Sequence, residues 1–200
     1  MSDMSFPVTF DVERPAGFDR AQVLLRVGVL IVIGWIVHPV GLLWLGLPVV
    51  AGILISQKGG RRYLDEDGPR VTRALHWIVD AVAYVALLTD RLPSPSEHAV
   101  RFEVERSGSP TVRSALLRIV YAIPSLLVLA ILNWFGAIVW VIGMVLVLFT
   151  GSYPESWWHF LRGLVGWEAN LVAYLASLTD RYPPFTLATR SVSPAAPSSS

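Results

Sequence analysis

Side chains able to do bond-making chemistry are few in this chain. The four histidines, His38, His76, His98 and His159, include no pair at the i, i+4 spacing that sets two imidazoles on one metal from a helix. There is no cysteine, which removes thiolate nucleophiles, disulfides, cysteine-ligated zinc and cysteine-ligated iron–sulfur clusters. The nearest approach to an acid–base set is Asp80 with His76 and His159, the nominees for a lipid-modifying enzyme. Lys58-Gly59-Gly60-Arg61-Arg62 lacks the spacing of a phosphate-binding loop. The expectation is a protein without catalytic residues, metal or cofactor.

A different set of residues recurs. Val8-Thr9-Phe10-Asp11-Val12-Glu13-Arg14 returns as Val100-Arg101-Phe102-Glu103-Val104-Glu105-Arg106, and Leu24-Leu25-Arg26 as Leu116-Leu117-Arg118, both 92 residues on. At an offset of 90, Ala83-Tyr84 matches Ala173-Tyr174 and Leu88-Thr89-Asp90-Arg91 matches Leu178-Thr179-Asp180-Arg181. Charged and aromatic positions repeated in one order point to a duplicated unit. Arg26 and Arg118 read as interfacial arginines that snorkel, or as contacts to lipid phosphate or a partner, for which a planar guanidinium is suited. Asp90 and Asp180 stand where a helix ends, on the unfavourable side of its dipole, so each needs a cation. They form a local ion pair or turn contact, or else pair with Arg118 or Arg26 across the two copies. The candidate partner or lipid contacts are Arg26, Arg118, Tyr84, Asp90, Arg91, Tyr174, Asp180, Arg181 and Tyr182.

The elements holding these residues follow from hydropathy. The chain of 200 residues is 54% apolar and 16% charged, with mean hydropathy +0.54; soluble domains carry about 25% charge. This is the composition of a membrane protein. Net charge is +1, which gives no reason to expect nucleic acid. Residues 8–12 alternate as a half-buried strand, to be paired with its second copy or with Phe185-Thr186-Leu187. Residues 27–57 and 119–154 contain no Asp, Glu, Lys or Arg. Turn chemistry at His38-Pro39-Val40-Gly41 and Asn133-Trp134-Phe135-Gly136 splits each run. Lys and Arg flank both runs and avoid both tips, so hairpins would place every cation on one side of the bilayer. The expected fold is mainly α and integral to the membrane: two tandem repeats, each a short strand, a transmembrane helical hairpin and an amphipathic interfacial helix. Its divisions are an N-terminal tail at 1–7, repeat 1 at 8–99 (spans 21–37 and 40–57, interfacial helix 70–89), repeat 2 at 100–190 (spans 114–132 and 135–151, interfacial helix 155–178), and a disordered tail at 191–200. Trp77, Tyr84, Trp157, Trp158 and Trp167 suit an interface belt, and His38 and Asn133 a solvated outer tip.

Leu117-Arg118-Ile119-Val120-Tyr121-Ala122-Ile123-Pro124, Thr150-Gly151-Ser152-Tyr153-Pro154 and the ending Leu178-Thr179-Asp180-Arg181-Tyr182-Pro183-Pro184-Phe185 carry a family resemblance. They resemble an actinobacterial and wider bacterial family of multi-span membrane proteins of unassigned function. The resemblance implies location and fold rather than activity. The first copy departs from it, with no Ala-Ile-Pro and with Leu92-Pro93-Ser94 in place of Tyr182-Pro183-Pro184. The expected function is a non-enzymatic inner-membrane accessory or scaffold with both termini cytoplasmic. Its expected partners are the lipid bilayer and a membrane protein or a second copy. The competing expectation is a small transporter, channel or lipid-handling protein built from two parallel repeats.

Overall fold

The structure, a computed structural model, describes residues 6–37, 40–94 and 97–188, with no side chains described at 29–37 and 40–43. In chain order the elements are β1 (Val8–Val12), α1 (Arg20–Val37), α2 (Val40–Lys58), a short α3 (Gly60–Arg62) and a π turn (Tyr63–Asp67). There follow α4 (Gly68–Val85), β2 (Val100–Val104), α5 (Val112–Thr150) and α6 (Glu155–Leu175). The alternating segments pair with each other. β1 lies antiparallel to β2 with Phe10 opposite Phe102, the two residues also matched by the 92-residue offset. Val8, Phe10, Val12, Val100 and Phe102 are buried, while Asp11 stands across from Arg101.

The second uncharged run is not a hairpin. α5 is one helix of 39 residues, begun by a reciprocal cap between Thr111 and Ser114 and ended at Gly151. At 1.5 Å per residue it is about 58 Å long. The spans expected at 114–132 and 135–151 are therefore continuous, and the supposed turn residues serve packing instead. The Asn133 side chain donates to Glu168 Oε1 at 2.7 Å, so it is engaged by α6 and does not compete for the backbone. Gly136 admits α6 closely: a Cβ there would come within 2.9 Å of Leu164 Cδ2.

The first run is traversed lengthwise too. The turn expected at His38-Pro39 lies outside the described residues, but both ends are placed. Arg20 Nη2 donates to Phe149 O at 3.3 Å, and Gly52 faces Leu116. α1 thus begins beside the end of α5, and α2 finishes beside its start. A hairpin over 21–57 would have brought those ends together; here they stand a rod's length apart. The cation pattern that favoured hairpins does so only if the runs cross a bilayer.

Each rod is followed by a shorter return helix. α4 runs back toward the start of α1, and α6 back toward the start of α5, where Tyr174 O meets Arg118. α6 packs against α5, α4, α2 and β1, and Trp158, Leu161, Leu164, Trp167, Leu171 and Leu175 are all buried. The interfacial helix expected over 155–178 is instead the centre of the core, because it is covered from four directions. Trp158 and Trp167 are correspondingly only 3% exposed, against 50% for Trp77 and 76% for Trp134. The sheet packs on the outer side of the return helices, through β2 on α4 and β1 on α6. The opposite face of the rods is bare: Leu116, Val120, Leu127, Ile131, Ile138 and Phe149 form one exposed apolar stripe along α5.

The absence of cysteine gives a clean background for spin labels at Arg113→Cys and Phe149→Cys. A continuous α5 sets their backbones roughly 54 Å apart. Electron–electron distance measurement should return that range, whereas a hairpin would bring the labels to within roughly 10–20 Å, one helix packing distance plus the label arms.

Candidate functional site

Both recurring arginines point inward. Arg118 is 3% exposed; its Nη1 donates to Tyr174 O at 2.7 Å and to Thr179 O, and its Nη2 donates to Asp180 Oδ1. The guanidinium carbon lies 4.5 Å from the centre of the Tyr174 ring. Arg26 is fully buried, with Nη2 donating to Thr89 O and, at 2.7 Å, to Asp90 Oδ1, and it lies 4.6 Å from the centre of the Tyr84 ring. Each guanidinium thus sits at the C-terminal end of a return helix, where carbonyls lack helical partners and the helix dipole favours a cation. A ring face and a carboxylate add further compensation to each desolvated guanidinium.

The Thr-Asp-Arg sequence explains itself in this geometry. Thr89 Oγ1 and Thr179 Oγ1 accept the backbone N–H of Arg91 and Arg181, each at 3.2 Å. The second carboxylate oxygen of Asp90 accepts Asp19 N–H at 3.0 Å, and that of Asp180 accepts Ser109 N–H at 3.2 Å. Each aspartate therefore ties the end of a return helix to the loop entering its own rod. Gly108 has a φ of +96° beside Asp180, and a Cβ there would overlap the carboxylate. Both return helices end on a left-handed residue that is not glycine, Leu87 (φ 62°) and Ser177 (φ 58°). Such a conformation costs about 1–3 kcal/mol and persists where its surroundings over-determine it. Leu88 N–H to Ala83 O and Leu178 N–H to Ala173 O complete the same terminator in both places.

The cross-copy pairing of Asp90 with Arg118, or of Asp180 with Arg26, does not occur. Each aspartate meets the arginine at the start of its own rod, because each rod and its return helix are antiparallel neighbours. As both arginines are buried among carbonyls, neither faces lipid or a partner. Tyr84 and Tyr174 are buried beside them, and Arg91 and Arg181 are exposed. Tyr182 shares a 2.6 Å hydrogen bond with Ser125 and stacks edge-on to Tyr174. The two clamps differ in completeness. Arg26 Nε and Nη1 are buried and have no hydrogen-bond partner among the described residues, whereas Arg118 engages three acceptors. Tyr63 reinforces the second clamp by donating to Ala176 O, and burial pushes its phenol up to about 12.

Of the nominated acid–base set, Asp80 and His76 do meet. The third member is His98, not His159, which instead lies 3.5 Å from Glu155 at the exposed start of α6. Asp80 accepts from His98 Nδ1 and, through its other oxygen, from Val100 N–H at 3.0 Å; His76 Nε2 donates to Val100 O at 2.7 Å. His76, Asp80 and His98 bring their ligand atoms within 4.8 Å of one another, close enough to consider a cation. The two imidazoles stack, however, with centroids 3.8 Å apart and planes 19° apart. Histidine coordinates through a ring-plane lone pair, so one ring would have to turn before both could hold one metal. The cluster works as a latch that ties β2 to the middle of α4.

A site missed by sequence reasoning lies between the layers. A cleft of about 300 Å³ is walled by Trp44 and Leu47 of α2, Ile78 and Val79 of α4, and Val165 and Val172 of α6, with Asn133 and Glu168 as its polar members. Helix atoms surround the Glu168 carboxyl while the cleft leaves part of it reachable, and that burial raises its pKa, an effect the Asn133 hydrogen bond opposes. Asn133 is thus no solvated tip: it lies along a rod and binds a carboxyl. Glu168, the one charged residue between Arg162 and Asp180, was the available signal.

Residues 113–186 match the family described as a domain of unknown function, DUF4389. That stretch covers nearly all of α5, the whole of α6 and the complete second clamp. No curated protein and no solved structure matches the chain.

Replacing Arg118 by Met should destabilise the protein by about 2–4 kcal/mol, since buried Thr179 O loses its guanidinium donor, Tyr174 O keeps only backbone donation from Ser177, and the buried aliphatic stem is repacked. Asp180→Ala should cost only about 1 kcal/mol, because its carboxylate is 47% exposed and screened. Arg118→Lys should recover little, as one ammonium cannot reproduce the planar fork. Asp80→Ala should cost about 2–3 kcal/mol by opening the latch and stranding Val100 N–H. Denaturant or thermal unfolding reads all four; equal losses for Arg118→Met and Asp180→Ala would contradict the clamp.

Proposed function

We propose that this protein is a non-enzymatic accessory of the bacterial inner membrane, built from a duplicated unit, that lies within one leaflet and offers its polar side to a membrane-protein partner. Duplication is supported by the two clamps, which use matched residues, and by the strand register centred on Phe10 and Phe102.

The observation that carries the orientation is the level of the sheet. α5 is long and apolar enough to cross a membrane. The α4 segment that faces Asn133, near the middle of α5, also holds His76 and Asp80, which bind the end of β2. If α5 crossed a bilayer, that latch and the exposed Arg101 and Glu103 would sit near mid-depth, along with two open sheet edges. Hydrocarbon does not tolerate unpaired backbone at an edge, and each central charge costs about 2.5–3.5 kcal/mol. Laid flat, the same rods put their bare apolar stripe into the leaflet and keep sheet and latch in water. The cations at one end, Arg14 and Arg20, and at the other, Lys58, Arg61, Arg62 and Arg113, then share one membrane surface, as the positive-inside rule favours.

In support of an accessory role, Arg26, Arg118, Asp90 and Asp180 are used on the protein's own helix ends and not on bond-making chemistry. The alternative of a transporter with two rods crossing in parallel is disfavoured by their antiparallel course.

Single cysteines at Arg113 and Ser152, near opposite ends of α5, test the orientation. With a membrane-impermeant maleimide, both should label from the cytoplasmic side in inverted vesicles and neither in right-side-out cells. Labelling of the two from opposite sides would show a crossing rod and overturn the proposal.

A further inference from the structure

We propose that the cleft at Glu168 and Asn133 binds one single-chain amphiphile, an aliphatic tail ending in a hydrogen-bond-donating head such as a primary amine or hydroxyl. The head would sit against the Glu168 carboxyl and the tail along the apolar walls.

Glu168 is not there for packing. The residue matched to it by the 90-residue offset is Ile78, which faces the same cleft from α4, so an aliphatic side chain fits this architecture. A carboxyl in an apolar wall loses hydration, and that loss is recovered only through hydrogen bonds. Among the described residues its one hydrogen-bond partner is Asn133, on Oε1. Carboxylate oxygens offer about four acceptor sites, so acceptor capacity is left facing the cleft. That asks for a ligand with donors, and disfavours a second carboxylate or a phosphate, which would place like charges together.

The space fits such a ligand. The cleft holds about 300 Å³, within the range of small-molecule sites. A second, shallower depression of about 280 Å³, open to the surface, shares Val82, Asn133, Val165 and Glu168 and reaches Gly136 and Trp140. Past Asn133, a groove of about 510 Å³ runs along α5 by Trp134, Ile138 and Ile142 toward the bare apolar face. Asn133 borders all three, so a chain can enter from the apolar side with its head leading to Glu168. The site depends on the packing of α2, α4, α5 and α6 and not on how the protein meets a membrane.

The test uses the full chain in vesicles of phosphatidylethanolamine and phosphatidylglycerol, with a diazirine-bearing dodecylamine as the probe and peptide mapping as the readout. Labelling should saturate on peptides carrying Ile78, Val79, Val165 and Val172. Dodecylamine and dodecanol should compete, while dodecanoic acid and dodecane should not. Glu168→Leu should lower saturable labelling by about tenfold or more, as expected for losing a hydrogen bond to a charged or strongly polar group. Val79→Phe, which fills the cleft and leaves Glu168 in place, should abolish it. Labelling of the wild-type chain that never saturates, that spreads along the exposed face of α5, or that dodecane competes as well as dodecylamine, would overturn the proposal without recourse to any variant. Saturable labelling unchanged by both substitutions would overturn it equally.

Discussion

A guanidinium removed from water must be given acceptors, and two arginines in this chain are almost wholly removed from it. Arg26 and Arg118 each obtain theirs from the end of the helix returning along their own rod: one carbonyl for Arg26 and two for Arg118, with a carboxylate and a tyrosine face for both. Moving that helix end away would leave a desolvated charge uncompensated, a penalty of several kcal/mol. The return helices are thereby fixed in length and register. The left-handed residues Leu87 and Ser177, unfavourable in isolation, are held because each is followed directly by a backbone bond back to its helix, Leu88 to Ala83 and Leu178 to Ala173, and then by an aspartate already engaged by the clamp.

With both return helices pinned, the remaining architecture follows from what each face can bury. α6 is buried along most of its length from Leu161 to Leu175 and takes the centre; α4 is amphipathic and carries the latch to the sheet on one side and the cleft on the other. The rods cover the inner layer with one face only, which leaves a stripe of exposed aliphatic and aromatic side chains far longer than a bilayer core is thick. A flat disposition in one leaflet, as proposed, satisfies that stripe, the polar sheet and the cations at both rod ends together. A crossing disposition would bury only part of the stripe and satisfy neither of the other two.

The two halves are alike where the chain must hold itself together and unlike where it need not. Their clamps, helix terminators and strands correspond residue by residue. Glu168, Asn133, His76 and His98 have no counterpart of the same chemistry in the other half. Such residues sit at the cleft and the latch, where one half meets the other and a single copy of a group can serve both.

Local order was legible in the residues themselves. Alternation marked both strands, the return helices were readable to within a few residues, and the spacing of Arg26, Tyr84 and Asp90 against Arg118, Tyr174 and Asp180 marked six side chains with a common purpose. Nothing local could say which way those side chains faced. An arginine at the start of an apolar run reads as a membrane anchor until a returning helix covers it, and that cover comes from residues more than fifty positions away. Asn133 and Gly136 read as a turn for the same reason: their effect on the chain depends on whether α6 arrives to accept an amide and fill the space a Cβ would take. Hydropathy likewise established how much apolar surface the rods carry. Whether that surface is suited to run through a bilayer or along one turns on where the sheet sits relative to the rods, and only the packed molecule sets that distance.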